Sequence, residues 1–331
     1  MQRPFVKPRH AEPRSPDWGR RADQSWCSQP RTGTVAAHIH TQTRTQRASS
    51  VLLASVMALQ LTACSAPPSK PSSPAQAQGQ AQNQNAARAL RRGDAASALA
   101  SYQAALAAAE SVEDFESSAV ALLNLATVHS QLGQNEAALA RVERILAQPA
   151  LFSVNAQAQA AARKALLLLD QDQIEQALTW AERSLLLCPS ACALAPAMNN
   201  LRAHVALGRG ELERAASLAQ HAAEQAAAAG LQGEQANGQR LAGRALSQQG
   251  QHERAAQLLA QALLLDQALG LPDRIALDLQ YAAQNEVRRG QLGAAKAYLE
   301  RAWVVSQAAG HTVRAAALLQ QLQSMADTAP R

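Results

Sequence analysis

The chain has 331 residues, of which 47% are apolar and 17% are charged, so most of it is expected to fold. Only 3% are aromatic, which predicts a core of closely spaced Ala and Leu side chains. The formal charge of +6 lies wholly in residues 1–63, because residues 64–331 hold 22 basic and 22 acidic side chains. This balance argues against a nucleic-acid-binding protein.

The first 63 residues are typical of a leader followed by an export signal. Residues 1–46 contain five prolines and no apolar period, so we expect them to be disordered. Two arginines then precede the apolar run 51–61, VLLASVMALQL, which is too short to cross a bilayer as a helix. We therefore predict an export signal at residues 47–63. Because such signals normally begin close to the start of translation, we hypothesise that the true start codon lies near Val35.

The export signal ends in Leu61-Thr62-Ala63-Cys64, which resembles the lipobox of bacterial lipoproteins. The resemblance implies cleavage by signal peptidase II before Cys64 and lipidation of its thiol. The alternative is a chance LTAC in an uncleaved segment. An Asp after the cysteine often marks inner-membrane retention in this class, so Ser65 favours the outer membrane, facing the periplasm. Residues 64–80 are rich in Pro, Ser and Gln and are predicted to form a semi-extended tether.

Six similar turns recur through residues 81–325, at steps of 40, 39, 38, 40 and 40 residues. Five contain Gly at the same place and one contains Asp: Gly93, Gly133, Asp172, Gly210, Gly250 and Gly290. Small residues recur seven positions before this place and five and twelve positions after it. Small residues at these spacings let helices approach closely, so each repeat is predicted to be a helix, a left-handed turn and a second helix. A second set of glycines, 20 residues further on, is predicted to end the second helices of the last three repeats.

This pattern resembles the tetratricopeptide repeat (TPR), which has its turn Gly and its three small columns at the same relative positions. The resemblance implies an all-α, right-handed α-solenoid of about six helix–turn–helix repeats. The period near 40, rather than 34, predicts longer helices. Residues 311–325 are predicted to form a C-terminal capping helix, followed by a disordered tail at 326–331. A coiled coil is the alternative, and the Gly at every twentieth residue argues against it.

Four prolines inside the repeats are predicted to lie between helices or in their first turns: Pro149, Pro189, Pro196 and Pro272. Cys188 and Cys192 lie in the segment CPSAC at a break between two helical stretches. In an oxidising compartment we expect them to form a disulfide. Two free thiols, or burial as small apolar residues, are the alternatives. A redox centre and a metal site are both disfavoured by the CxxxC spacing and the lack of a nearby His.

No catalytic motif is present in the sequence: there is no Walker motif, GxSxG or HExxH, and the histidines after Cys64 fall in different helices or turns. We therefore expect no enzyme, no cofactor and no metal ion. In the TPR family the first helices of the repeats line a concave groove. Carrying the groove positions over gives Asn200, His204, Asn237, Arg240, Arg244, Gln280, Gln284 and Arg288.

Three of these residues, Arg240, Arg244 and Arg288, are predicted to form a cationic patch that meets the acidic or C-terminal end of a bound peptide. The second and third repeats offer a more apolar stretch through Leu123 and Leu166, together with Thr127. The alternative is a solvated helix face without a ligand.

The expected function is that of a lipid-anchored periplasmic adaptor that binds envelope proteins or peptide segments. A pilotin-like lipoprotein for assembly of the type IV pilus secretin is one alternative, and a regulator of cell-wall synthesis or hydrolysis is another. A small-molecule carrier or an enzyme is a third alternative, of a different class. Ala-rich faces also leave a homodimer open.

Overall fold

A computed structural model describes residues 73–188 and 192–327, and all of the secondary structure in these two ranges is helical. The predicted leader, the export signal, Cys64 and most of the tether lie outside the described residues. The thirteen helices are α1 Pro74–Arg91, α2 Ala95–Glu110, α3 Phe115–Gln131, α4 Asn135–Leu146, α5 Val154–Asp170, α6 Ile174–Leu187, α7 Ala195–Gly208, α8 Leu212–Ala228, α9 Gln232–Gln248, α10 His252–Ala268, α11 Pro272–Arg288, α12 Leu292–Ala308 and α13 Thr312–Asp327.

The helices form six antiparallel pairs, from α1–α2 (repeat 1) to α11–α12 (repeat 6), and α13 packs on α12. The predicted solenoid of six repeats with a capping helix is therefore confirmed. Within the described ranges, the first helices of consecutive repeats also pack on one another, as α1–α3, α3–α5, α7–α9 and α9–α11, whereas consecutive second helices do not make comparable contacts. The first helices therefore lie on the inner side of the curved stack.

The three small columns are the places where the helices approach most closely. All eighteen residues are buried: Ala86, Ala126, Ala165, Ala203, Gly243 and Ala283; Ala98, Ala138, Ala177, Ala215, Ala255 and Ala295; Ala105, Ile145, Ser184, Ala222, Ala262 and Ala302. Because these columns are used inside the stack, their residues do not form a surface on which a second copy of the chain can pack.

The predicted turn column adopts the left-handed conformation in every repeat. Its five glycines have positive φ angles, and Asp172, the one non-glycine member, has φ 60°. The second glycine column is also left-handed, at Gly230, Gly270 and Gly310. Glu113, at the equivalent place in repeat 1, shares this conformation with φ 53°, a feature that the Gly pattern did not reveal. Asp172 and Glu113 carry a Cβ atom, so the left-handed conformation costs them backbone strain that glycine does not have.

The predicted tether is too long, because α1 already begins at Pro74. Ser73 is the N-cap: its hydroxyl accepts a hydrogen bond from the Gln76 backbone at 3.2 Å, and the Gln76 side-chain oxygen accepts one from the Ser73 backbone. Pro74 follows at the first helical position, where its missing N–H leaves no hydrogen bond unmade. The same Ser and Pro content that indicated an extended spacer thus starts a helix. Residues 326 and 327, which were predicted to belong to the tail, are helical, since α13 ends at Asp327; residues 328–331 lie outside the described residues.

The prolines lie where they were predicted wherever the structure describes them. Pro149 lies between α4 and α5, and Pro196 and Pro272 lie in the first turns of their helices. Pro189 lies outside the described residues. In the two described ranges, no helix is both long and apolar enough to cross a membrane.

Gly238, in α9, is a second close-approach site that the sequence pattern did not reveal. A Cβ atom there would lie 2.7 Å from the Ala219 carbonyl oxygen and 2.9 Å from the Ala223 backbone nitrogen, both on α8. These are backbone atoms of a packed helix, so a small side-chain movement cannot relieve the clash. Gly293, in α12, is also helical, but a Cβ atom added there would have no neighbouring atom within 4 Å.

We predict that Gly238→Ala lowers the free energy of unfolding by about 1–3 kcal/mol, because the added methyl forces α8 and α9 apart. The matched control, Gly293→Ala, adds the same methyl to open space and is expected to raise it by up to about 1 kcal/mol. Urea denaturation followed by circular dichroism measures both. Equal midpoints for the two variants would contradict the close approach at Gly238.

Candidate functional site: the inner face of repeats 4 to 6

The predicted groove residues lie on three neighbouring first helices, α7, α9 and α11. Five of them are at least partly accessible: His204, Arg244 and Gln280 are half-buried, and Gln284 and Arg288 are exposed. We call these five residues the inner-face set. The other three, Asn200, Asn237 and Arg240, are buried and hold the helices together.

Arg240 is 1% exposed, so the prediction that it contributes to a surface cationic patch is wrong. Its Nε donates a hydrogen bond to Asp278 Oδ1 at 2.5 Å, and its Nη2 pairs with Asp266. Its Nη1 donates to Asn237 Oδ1 at 3.3 Å. A buried guanidinium loses its hydration and needs such partners. The three charged groups join α9, α10 and α11 across the junction between repeats 5 and 6.

The buried cluster contains two carboxylates and one guanidinium, and burial and charge together shift the pKa values of Asp278 and Arg240. Burial raises the pKa of Asp278 to about 7, and the neighbouring Asp266 adds to the rise, against the opposing attraction of Arg240. Burial by itself lowers the pKa of Arg240, but the attraction of Asp278 and Asp266 outweighs it and leaves that pKa above its ordinary value. Arg240 therefore stays cationic, while Asp278 takes up a proton near neutral pH.

The position of Asn200 also differs from the prediction, because its side chain fastens α7 to α9 and does not face a groove. It is 2% exposed. Its Nδ2 donates to the Glu234 backbone oxygen at 3.0 Å and to Glu234 Oε2 at 2.9 Å. Asn237 is likewise buried and is engaged by Arg240. The polar side chains at these two positions therefore form hydrogen bonds inside the stack and do not contact a bound segment.

The remaining basic groups of the inner face are Arg244 and Arg288. The Arg244 guanidinium lies over the Tyr281 ring, 4.3 Å from its centroid. Arg288 is exposed and its Nη1 donates to Ser247 Oγ at 3.4 Å. Burial lowers the pKa of His204 to about 4, and the Arg244 charge adds to this, so His204 is neutral at physiological pH. The inner-face set therefore carries two permanent positive charges, Arg244 and Arg288, and His204 adds none.

The inner face of repeats 2 and 3 has the predicted residue types at partly accessible positions. Leu123, Thr127 and Leu166 are half-buried, and the Thr127 hydroxyl donates to the Leu123 carbonyl at 2.9 Å. This hydrogen bond occupies the only polar group of the three side chains. The first helices of repeats 2 and 3 thus present apolar accessible side chains, and those of repeats 4 to 6 present polar and cationic ones.

Sequence reasoning missed Asp266, Asp278 and Tyr281, which determine the state of the arginines. Asp278 lies within the apolar stretch IALDLQY, and Asp266 follows the run LLL. A single carboxylate within an apolar helical stretch is the signal that predicts a buried partner of opposite charge. The identity of that partner depends on how the helices stack.

The two cysteines between α6 and α7 form a disulfide in the structure, with Cα atoms 5.5 Å apart. Both side chains pack against the apolar cluster that joins repeat 3 to α7. Among residues 73–188 and 192–327 there is no group of three or more His, Cys, Asp and Glu side chains arranged to hold a metal ion.

Comparison with known proteins shows the fold and nothing narrower. No protein-family model matches the chain, and no curated protein matches it. One similar solved structure is that of a signal-transduction ATPase with a tetratricopeptide repeat sensor from Pyrococcus horikoshii. Its TM-score is 0.53 at 16% identity, and the match covers 72% of this chain and 38% of that one. A Rap protein complexed with competence and sporulation factor gives 0.52 at 15% identity, over 76% and 75% of the two chains. Aspartyl phosphate phosphatase F from Bacillus subtilis gives 0.51 at 14% identity, over 66% and 58%.

These similarities, together with the six helix pairs, establish an α-solenoid of the tetratricopeptide-repeat type. At such identities they carry no information about substrate or partner.

We predict that stability falls as the pH rises toward and through about 7, owing to Asp278. Its folded pKa of about 7 exceeds the ordinary value of 3.8, so folding binds a proton that the unfolded chain releases. This contribution to stability is therefore complete below about pH 4 and is lost as the pH rises through 7. Asp278→Asn removes the titrating group and should flatten the dependence between about pH 5 and 8.

Urea denaturation of both proteins at several pH values measures this effect. Asp94→Asn is the control, because a hydrogen bond from Ser97 lowers the pKa of Asp94 and keeps its titration below this range. If Asp278→Asn retained the slope of the unchanged protein, the assignment of the proton to the buried cluster would be wrong.

Proposed function

We propose that this protein is a binding scaffold whose inner face in repeats 4 to 6 holds a segment of a partner protein. The observation that carries the proposal is the side-by-side packing of α7, α9 and α11, which presents the inner-face set on one continuous surface. Solenoids of this kind give a long binding surface for a small core. The Rap structure noted above is a complex with competence and sporulation factor, so a fold of this type accommodates a separate molecule.

The chemistry of the inner face favours a segment with an acidic group at one end. Arg244 is held in place by the Tyr281 ring, so it loses little side-chain freedom when it binds a carboxylate. Arg288 supplies a second, exposed guanidinium one first helix further along the stack. Arg240 does not take part, because Asp266 and Asp278 already neutralise it. The apolar inner face of repeats 2 and 3 then suits the apolar part of the same segment.

We further propose that the scaffold is a lipoprotein of the outer membrane, anchored through Cys64 and facing the periplasm. The support is the order of basic residues, apolar run and LTAC box in the sequence. Since α1 begins at Pro74, only eight residues separate Cys64 from the N-cap Ser73. Eight residues span at most about 29 Å, so the anchor would keep repeat 1 close to the membrane surface.

The partner in this proposal is an envelope protein, and in-cell crosslinking of the tagged protein identifies it. Recovery of secretin or pilus subunits would assign the protein to secretin assembly. Recovery of cell-wall synthases or hydrolases would assign it to wall regulation. Failure to recover any specific protein would contradict the scaffold proposal.

We predict that Arg244→Glu combined with Arg288→Glu reduces recovery of the crosslinked partner about tenfold or more, since both cations that face the segment become repulsive. The control variant, Arg214→Glu combined with Arg301→Glu, makes the same change of charge on the second helices α8 and α12, away from the inner face. Unchanged recovery with the inner-face variant, or equal losses with both, would contradict the proposed site.

We predict that cells expressing the full chain incorporate labelled fatty acid into it and place it in the outer-membrane fraction, and that Cys64→Ala abolishes both. The control is Cys188→Ala with Cys192→Ala, which removes the other two cysteines of the proposed mature chain and should leave the lipid label in place. Absence of label from the unchanged protein, or its persistence in Cys64→Ala, would contradict the proposed anchor.

A further inference from the structure

The edge of the solenoid where each first helix turns into its second carries a recurring Arg–Glu pair. Arg209, just before the turn of repeat 4, pairs with Glu175, three residues after the turn of repeat 3. Arg289, just before the turn of repeat 6, pairs in the same way with Glu253 of repeat 5, with Nη2 and Oε1 3.4 Å apart. The two pairs hold equivalent positions, so at these two junctions the stack sets an arginine against this carboxylate.

The junction between repeats 4 and 5 keeps the carboxylate but lacks the arginine, and the junction between repeats 2 and 3 has the same residue types at these places, Glu136 and Gln171. Glu213 lies three residues after the turn of repeat 4, while Gln249 replaces the arginine before the turn of repeat 5. The Gln249 side-chain oxygen accepts a hydrogen bond from Gln251 Nε2 at 2.9 Å, within its own turn. Glu213 is exposed, and the described parts of the chain give it no hydrogen bond and no ion pair.

An open cleft lies at this same junction, between α8 and the turn from α9 to α10. Its volume is about 440 Å³. Glu213, Glu224 and His221 line it, together with Ser and Gln side chains, and Ala216 and Leu246 supply buried apolar surface. The one arginine in the lining, Arg254, donates its Nη1 to Gln251 Oε1 at 2.7 Å.

We propose that this cleft binds an arginine side chain of a partner protein. The guanidinium takes the place against Glu213 that Arg209 and Arg289 occupy at the neighbouring junctions. The aliphatic part of the side chain lies on Ala216 and Leu246, as arginine stems do on apolar surface. Arginine suits the cleft better than lysine, because its planar guanidinium bonds a carboxylate with two parallel hydrogen bonds.

This site is separate from the inner face of the proposed function. None of the inner-face residues lines the cleft, and the charge that it recognises is opposite in sign. A partner that binds both places carries an acidic segment for the inner face and an arginine for the turn edge. If experiment contradicts the proposal for one of the two sites, the proposal for the other site still stands.

The experiment follows the alanine methyl NMR signals of the full chain during titration with the peptide acetyl-Ala-Ala-Arg-Ala-Ala-amide. Ala216 is the reporter, because it lines the cleft. We expect its signal to shift in a saturable way. A second peptide, in which citrulline replaces arginine, keeps the shape and loses the charge, and we expect its affinity to be lower by about two- to fivefold.

Two variants test the residues. Gln249→Arg places the chain's own guanidinium in the cleft, as at the neighbouring junctions, and should weaken peptide binding about two- to fivefold. Glu213→Gln removes the carboxylate and should act in the same direction. Glu253→Gln is the matched control, because its carboxylate is already paired with Arg289, and Arg244→Glu with Arg288→Glu tests independence from the inner face. These two control variants should bind the peptide as the unchanged protein does.

Several results would overturn the proposal. They are the absence of any Ala216 shift at about 10 mM peptide, equal affinity for the citrulline peptide, and unchanged binding by Gln249→Arg and Glu213→Gln. A lysine peptide that binds as tightly as the arginine peptide would overturn the assignment to arginine. Unchanged circular dichroism of each variant confirms that any loss of binding is local.

Discussion

The close approach of helices at three columns of small residues is the constraint on which the rest of the structure depends. A core with so few aromatic side chains gains its packing energy only if helix backbones come near one another, and Ala and Gly permit this. Gly238 shows how tight the contact becomes, since even one methyl there would meet the backbone of α8. As a consequence, the small side chains of the three columns are used inside the stack, and the accessible polar residues of the first helices remain for recognition.

Polar residues on the first helices therefore divide into two groups with different roles. Arg240, Asn200 and Asn237 fall between first helices that pack side by side, where a polar group must find a partner within the protein. Arg244 lies one turn after Arg240 in α9, and Arg288 is the last residue of α11. Both are at least partly accessible. The buried group fixes the spacing of α7, α9 and α11, and this spacing positions the accessible group that the proposed partner meets.

The repeats were predictable because the residues that favour each turn locally are also the residues that the packing of the helices requires at those places. The turn column demands a left-handed residue in each repeat, and even the Asp172 substitution kept its place in the register. The start of α1 was predicted too late, since Ser and Pro are ambiguous: they suit a spacer, yet Ser73 and Pro74 also form an N-cap and a first turn. Composition alone does not distinguish the two, whereas the capping box with Gln76 does.

The sequence by itself determined the class of fold, the number of repeats and the positions of the turns, because these follow from periodic small residues and left-handed turn positions along the chain. Tertiary structure decided which charges are available. Arg240 and Arg244 are one helical turn apart on the same face, yet Asp266 and Asp278 of other helices neutralise the first and leave the second over Tyr281. These partners come from positions 26 and 38 residues away, and only the stacking of helices brings them together.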